Sequence, residues 1–192
     1  MSSRDTWETR YAESAPVAPP SAFVDREARA LLETFGPTGR TPLALDLACG
    51  NGRHSIHLRK IGFRVVALDF SRNALTSLIQ KEASLWCVAA DALALPLRES
   101  VFDLIVQTRF LERRIFRSLG RLLRPRGRLL VETFALGQHE LTGHPRREFC
   151  LEPEELDRLC RDAGLRVIEP SEAGGEEEIG RALLESAVAE RP

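Results

Sequence analysis

Hydrophobic and polar positions follow two different periods along this chain, and residues 43–69 show both in succession. An apolar run through Leu47 passes into the small-residue turn Ala48-Cys49-Gly50-Asn51-Gly52. Apolar side chains at helical spacing follow, and a second apolar run ends at Asp69. Short apolar runs bounded by turn residues are typical of buried strands, and spacings of three and four are typical of helices. The stretch predicts strand, glycine turn, helix and strand, ending in an acid.

The same patterns predict elements on both sides of this stretch. Strands that alternate with helices indicate βαβ units and a parallel sheet covered on both faces. A turn at Gly174-Gly175 favours a hairpin strand over a helix for 181–190, which makes the sheet mixed. Pro125, Arg126 and Gly127 predict a turn, and 92–100 and 135–150 are predicted loops. Helices are predicted over 21–35, 52–61, 71–82, 110–123 and 153–163, with Ser21 and Ser71 as the caps of the first and third of them. Strands are predicted over 43–47, 63–68, 85–89, 102–106, 128–134 and 165–169.

The N-terminal residues 1–22 are polar and rich in proline, which disfavours a long helix or strand there. Trp7 and Tyr11 stand four residues apart, which suits a short helix packed on the domain, or a flap over a ligand. Both interpretations stay open on the pattern alone. We expect an N-terminal arm over 1–22 and a single domain over 23–192.

The composition of the chain limits the kinds of partner and the cellular compartment that we expect. The net charge of −1 provides no field for nucleic acid or an anionic membrane, and no apolar run reaches the ~18 residues of a membrane span. The first residues lack the apolar core of a signal peptide, so we expect a cytoplasmic protein. The four cysteines show no metal-ligand spacing and are interpreted as reduced thiols. His139 and His144 alone make a weak metal site, so no metal is expected, and the oligomeric state stays open.

Several chemically suited residues fall at predicted strand ends. Glycines at a strand-to-helix turn let a cofactor approach the backbone, and open α/β sheets bind ligands beyond the carboxyl ends of their strands. This convergence predicts one cofactor site at that edge. The residues are Asp46, Gly50, Asp69, Asp91 and Gln107.

Two cofactor classes compete for this turn. A dinucleotide site has glycines in the pattern G-x-G-x-x-G, which Gly50 and Gly52 fit, but Ser55 stands in the third place. An acid at Asp46 would oppose a pyrophosphate and suits a ligand with a cationic amine or sulfonium. Asp69 fits ribose hydroxyls in both cases and does not discriminate.

The motif D-L-A-C-G-N-G resembles motif I of the class I S-adenosylmethionine-dependent methyltransferases, with Ala48 in the place of the first glycine. Alanine suits that place if φ stays negative. The resemblance continues through Asp69-Phe70-Ser71, Ala90-Asp91-Ala92, Phe102-Asp103-Leu104-Ile105 and the stretch 122–127. It implies a Rossmann-like α/β fold, a doubly wound mixed sheet of seven strands in the order 3-2-1-4-5-7-6 with the last strand antiparallel.

The resemblance also implies roles for single residues. Asp46 and the backbone of 48–52 would face the methionine end of S-adenosyl-L-methionine. Asp69 would bind the ribose hydroxyls, and Phe70 would pack on the adenine. Gln107 would lie near the transferred methyl group.

Two further resemblances concern the adenine and the arm. Asp91 and Ala92 would recognise the adenine edge. The arm pattern Trp7-x-x-Arg10-Tyr11 resembles small-molecule methyltransferases of the tellurite-resistance-related group. Arg10 would then pair with the methionine carboxylate, and Tyr11 is a candidate substrate contact.

The sequence contains fewer motifs that bear on the methyl acceptor than on the methyl donor. No Asn/Asp-Pro-Pro-Tyr motif of DNA amino-methyltransferases follows the fourth strand, which reads Gln107-Thr108-Arg109-Phe110. We therefore expect a small-molecule acceptor and no nucleic-acid partner, and protein or RNA substrates stay open as alternatives. A thiol or metalloid acceptor needs no strong base, and no catalytic residue is assigned. A non-catalytic S-adenosylmethionine-binding regulator and a NAD-type enzyme remain alternatives. Candidate acceptor contacts are Tyr11, Arg109, Phe110, His139, His144 and Arg146, with Glu132 a further candidate base; Arg113 and Arg114 suit a solvated helix face.

Overall fold

The computed structural model describes residues 7–9, 11, 17–36, 39–175 and 182–192, with side chains at all of these positions except 170–175. The chain divides into two compact units, Met1–Leu97 and Arg98–Pro192. The single domain over 23–192 and the arm over 1–22 stay predictions. The predicted role of Arg10 lies outside the described residues.

The first unit holds three parallel strands and the helices between them. Its strands pair in register from Leu43 with Arg64 and from Val66 with Trp86. Ser21 and Ser71 cap the first and third helices by accepting the N–H groups of Val24 and Ala74, as the sequence predicts. The elements are α1 (Ala22–Glu33), β1 (Leu43–Leu47), α2 (Arg53–Ile61), β2 (Arg64–Asp69), α3 (Arg72–Lys81) and β3 (Trp86–Ala89).

The second unit contains a parallel strand pair extended by an antiparallel hairpin. The pair is β4 with β5, and β7 runs antiparallel to both β5 and β6. The predicted strand over 181–190 is therefore confirmed over the described 184–190. The elements are β4 (Phe102–Thr108), α4 (Phe116–Leu122), β5 (Leu123–Phe134), α5 (Gly137–Thr142), α6 (Glu155–Asp162), β6 (Arg166–Gly175) and β7 (Leu184–Glu190).

The described strands form a seven-stranded sheet in the order β3-β2-β1-β4-β5-β7-β6. This confirms the predicted fold class, including the antiparallel last strand. β1 and β4 are buried almost throughout, which explains their apolar runs. In the part of the chain with a described structure, no helix has the length and apolarity to cross a membrane.

Some element boundaries differ from the predicted ones because local contacts override the pattern. The predicted turn at 125–127 is wrong: β5 runs continuously from Leu123. The three residues form an irregularity in this strand, where the pairing shifts register and Arg126 takes a φ of 63°. The predicted turn at Gly174-Gly175 is also wrong, since β6 extends through Gly175, which pairs with Leu184.

Short helical segments occur within the segment predicted as a helix over 110–123 and within the two segments predicted as loops. The predicted helix over 110–123 begins only at Phe116, after a 3₁₀ turn at Arg113–Ile115 that the Glu112 side chain caps. Single helical turns carry too few apolar positions for a periodic signal, which is why the sequence pattern misses them. The loop over 135–150 includes α5 and a 3₁₀ turn at Arg147–Phe149, and the loop over 92–100 includes one at Ala92–Ala94.

Candidate functional site

The turn between β1 and α2 is built on left-handed backbone conformations. φ is 55° at Ala48, 53° at Gly50 and 83° at Gly52. The negative φ that would suit an alanine at position 48 is therefore not met. Left-handed backbone costs an L-residue about 1–2 kcal/mol, so this alanine carries strain that a glycine would not.

Side chains of the protein itself pack against both glycines of this turn. A Cβ added at Gly50 would collide with the Tyr11 hydroxyl, and one added at Gly52 would collide with the Leu78 side chain of α3. Gly52 is thus required by the packing of α3 as well as by its backbone conformation. Gly50 leaves room for Tyr11, which the sequence pattern does not reveal.

Asp46 at the β1 end is held by the residue that replaces the third glycine of a dinucleotide turn. The Ser55 hydroxyl donates to Asp46 Oδ2 over 2.5 Å, and the residue is only 1% exposed. Burial raises the pKa of Asp46 to about 7, although the hydrogen bonds from the Ser55 hydroxyl and backbone oppose this rise. The carboxyl group is directed to Ser55, and its predicted place at the methionine end stays a prediction.

Asp69 at the β2 end joins the turn to the start of α3. Its Oδ2 accepts the N–H of Gly50 and its Oδ1 accepts the N–H of Ser71, each over 2.8 Å. Burial raises the pKa of Asp69, the backbone N–H groups of Ser71, Gly50 and Phe70 lower it, and the nearby Glu8 carboxylate raises it further. A carboxylate has about four acceptor positions, so these bonds leave capacity for ribose hydroxyls.

Cys49, between Ala48 and Gly50, is buried, and its Sγ approaches the Gly50 carbonyl at 3.7 Å. Burial raises the pKa of its thiol well above the usual value, and the Asp46 and Asp69 carboxylates raise it further. Cys49 therefore acts as a small neutral filler of the turn.

The N-terminal arm is attached to α3 by Glu8, a contact that the sequence pattern does not reveal. The carboxylate accepts the Ser71 hydroxyl over 2.8 Å and the N–H groups of Arg72 and Asn73 over 2.9 and 3.0 Å. The Asn73 side-chain amide donates to the Glu8 carbonyl over 3.0 Å. The predicted helical spacing of the arm aromatics is confirmed, because residues 7–9 are helical and the Trp7 and Tyr11 rings stack at 5.9 Å.

The predicted adenine residues lie at the ends of β2 and β3. The exposed Asp91 accepts the N–H of Leu93 over 2.9 Å and so begins the 3₁₀ turn that includes Ala92. Phe70 is half-buried and directly follows β2. The first unit therefore gathers the predicted residues of β1, β2 and β3 at their carboxyl ends.

Gln107 is the last residue but one of β4 in the second unit and is completely buried. Its Nε2 donates to the Phe110 carbonyl over 2.8 Å, and among the described residues no donor reaches its Oε1. Arg109 has a φ of 51°, and its N–H donates to the Glu132 carbonyl over 2.8 Å. This arrangement fixes the path of 107–110 at the strand end.

The predicted acceptor residues of 135–150 take different places in the second unit. His139 Nδ1 donates to the Pro145 carbonyl over 2.9 Å, whereas His144 is exposed. Arg146 pairs with Glu148 and stacks over Phe149. Across the described residues no group of three His, Cys, Asp or Glu side chains is arranged to hold a metal ion.

Arg113 secures this segment, in contrast to the solvated face predicted for it. Its guanidinium forms two bonds with the Glu155 carboxylate, over 2.7 and 2.8 Å, and donates to the carbonyls of Glu148 and Cys150. Arg114 is 71% exposed at its side chain and bonds to the local Glu112, as a solvated face would require. Arg113 is therefore a structural residue of the loop.

Comparison with known sequences connects this geometry to a family. Residues 45–131 match the family model of the methyltransferase domain. The malonyl-[acyl-carrier protein] O-methyltransferase of Pseudescherichia vulneris is 35% identical over 103 residues, which are 51% of this chain and 41% of that protein. The demethylmenaquinone methyltransferase of Mycobacterium bovis is 32% identical over 122 residues, 61% of this chain and 50% of that protein. The chain thus spans about half the length of these relatives, or less.

A solved structure extends the similarity to the whole fold. The magnesium protoporphyrin IX methyltransferase of Synechocystis PCC 6803 with bound SAH superimposes with a TM-score of 0.74 at 17% identity, covering 98% of this chain and 97% of that one. At that identity the similarity concerns the fold alone. The domain match covers residues 45–131 and so includes the glycine turn and the carboxyl ends of β2 and β3.

Proposed function

We propose that this protein transfers a methyl group from S-adenosyl-L-methionine to a small-molecule acceptor. The observation that carries the proposal is the junction of Asp69 with the glycine turn. One carboxylate fixes both Gly50 and Ser71 and keeps capacity for further donors, at the carboxyl edge where open α/β sheets bind ligands. The match to the methyltransferase domain covers this edge.

The residues of the first unit fit such a cofactor. Asp69 keeps acceptor capacity for the ribose hydroxyls, and the half-buried Phe70 beside it offers an apolar surface for adenine. Asp91 and Ala92 offer a carboxylate and a backbone N–H for the adenine edge. The backbone of 48–52 would carry the methionine end, and α2 begins there at Gly52 without a side-chain cap.

The bound cofactor would supply a sulfonium methyl group that is already activated for displacement. A lone pair of the acceptor forms the new bond to carbon as the sulfur–carbon bond breaks, and that bonding pair stays on sulfur. The protein then needs mainly to orient the two reactants and exclude water. An oxygen or nitrogen acceptor also loses a proton, whereas a thiolate does not. We assign no general base.

The class of acceptor is the finer part of the proposal. The relatives are named for different acceptors, a malonyl group on a carrier protein and a demethylmenaquinone. The placement in the tellurite-resistance-related group rests on the arm pattern around Trp7 and Tyr11 alone. A small acceptor remains our proposal because 107–110 lacks the motif of DNA amino-methyltransferases.

Calorimetry with S-adenosylhomocysteine tests the cofactor, and NAD serves as the competing ligand. We expect saturable binding of S-adenosylhomocysteine and none of NAD; the reverse result in folded protein would contradict the proposal. Transfer of a radiolabelled methyl group to a panel of thiols, phenols and metalloid oxyanions then tests catalysis. Cofactor binding without transfer to any of them would favour the non-catalytic regulator.

A further inference from the structure

The N-terminal arm contacts the cofactor edge of the first unit at two points. Glu8 is bound at the start of α3, and three residues later the Tyr11 hydroxyl lies against Gly50. The N–H of Tyr11 donates to the Trp7 carbonyl over 3.0 Å, which closes a helical turn between the two points. Because that turn is internally bonded and its aromatic rings stack, the position of Glu8 determines that of Tyr11.

The binding of Glu8 has the features of a specific anchor. Its carboxylate complements the positive end of the α3 dipole and accepts two backbone N–H groups, from Arg72 and Asn73. The Ser71 hydroxyl donates to Glu8 while its oxygen accepts the Ala74 N–H, so the helix cap and the arm share one side chain. Charge-assisted bonds of this kind are stronger than neutral ones.

We propose that Glu8 is a positioning residue of the cofactor site, which holds Tyr11 over Gly50 so that the arm forms a wall at the methionine end. This inference rests on the proposed function. Different parts of the protein then hold the two ends of the ligand. Asp69 and Phe70 bind the adenosine part, and the arm covers the turn of 48–52 at the methionine end. Gly50 lacks a side chain at the point where this wall closes.

Two ligands that differ only at the methionine end test the inference. S-adenosylhomocysteine carries the amino-acid part, and 5′-methylthioadenosine lacks it but keeps the adenine, ribose and sulfur. In calorimetry, Glu8→Ala should raise the Kd of S-adenosylhomocysteine about tenfold, the effect of one charged hydrogen bond, and change that of 5′-methylthioadenosine less than about twofold. Glu33→Ala, at an exposed glutamate of α1, is the matched control and should change neither.

If Glu8 has a purely structural role, Glu8→Ala should raise the Kd of both ligands equally. That result would overturn the inference, and so would an unchanged Kd for both ligands. Wild-type protein that binds neither ligand would contradict the proposed function itself. Glu8→Gln keeps the shape but offers fewer acceptors, so it should show the same selective loss, and it replaces Glu8→Ala if that variant does not fold. The double variant Glu8→Ala with Tyr11→Ala should bind S-adenosylhomocysteine no more weakly than the weaker-binding single variant, because both substitutions disrupt the same wall. Additive losses of binding free energy would count against the inference.

Discussion

The buried carboxyl group of Asp46 should make the stability of this protein fall as pH rises. Its pKa lies at about 7 in the folded chain against 3.8 as the ordinary value, because burial disfavours the charged form. Below pH 3.8 the group is protonated in both states and contributes its full stabilising effect. As pH rises toward 7, the unfolded chain ionises first and is stabilised, so the free energy of unfolding decreases.

The magnitude follows from the two pKa values. Each pH unit between them corresponds to about 1.4 kcal/mol, so the contribution lost by pH 7 is about 4 kcal/mol. Asp46→Asn removes the titration and keeps the size of the side chain. The free energy of unfolding of the variant, relative to that of the wild type, should therefore increase by about this amount between pH 4 and pH 7 and level off above it.

Urea denaturation of both proteins at several pH values measures this difference and cancels the titration of the groups that do not interact with Asp46. A difference in the free energy of unfolding that is already present at pH 4 reflects the altered hydrogen bonding with Ser55. It does not affect how the difference changes with pH. Ser55→Ala removes a donor that lowers the Asp46 pKa, so its pH-dependent loss should extend above pH 7. A difference between wild type and Asp46→Asn that stays flat from pH 4 to 8 would refute the reasoning.

Three further predictions, two of them with a control variant, test other parts of the structure. Ala48→Gly should raise the free energy of unfolding by about 0.5–1 kcal/mol in urea denaturation, since relief of left-handed strain exceeds the added chain entropy; Ala74→Gly, inside α3, should lower it by about 1 kcal/mol. Asp69→Ala should weaken S-adenosylhomocysteine binding by about 1.5–3 kcal/mol in calorimetry, and unchanged affinity would contradict the ribose placement. Arg113→Ala should cost about 1–2 kcal/mol in thermal unfolding and Arg114→Ala less than about 0.5, and equal effects would contradict the distinction between them.

The parts of the fold that the sequence predicts well are those with short-range causes. The apolar runs of β1 and β2, the glycines between them and the serine cap at Ser71 each act within a few residues, and the structure contains all of them. The antiparallel β7 is predicted by a hairpin argument that misplaces the turn, since 174–175 belong to β6. The strand itself is confirmed over Leu184–Glu190, most of which is buried.

The parts that are not predictable depend on partners distant in sequence or on unusual backbone. Glu8 bonds to three residues that follow it in the sequence by 63, 64 and 65 positions. Arg113 bonds to Glu155, which follows it by 42 positions. Nothing adjacent to either residue signals such contacts. Ala48 gives no sign of a positive φ because alanine normally avoids it. Pro125 to Gly127 has turn composition, but here it forms an irregularity of β5 instead.

Cys49 is a built-in chemical reporter of the turn between β1 and α2. Its raised pKa and burial keep the thiol neutral and shielded, so an alkylating reagent reaches it only when the turn opens. Its labelling rate, followed by mass spectrometry, therefore measures the fraction of molecules in which the turn is open, much as hydrogen exchange does for a backbone amide. The half-buried Cys87 in β3 supplies an internal reference on the same chain. A ligand that binds the turn would slow labelling at Cys49 in proportion to its occupancy, which reports cofactor binding without any modification of the protein.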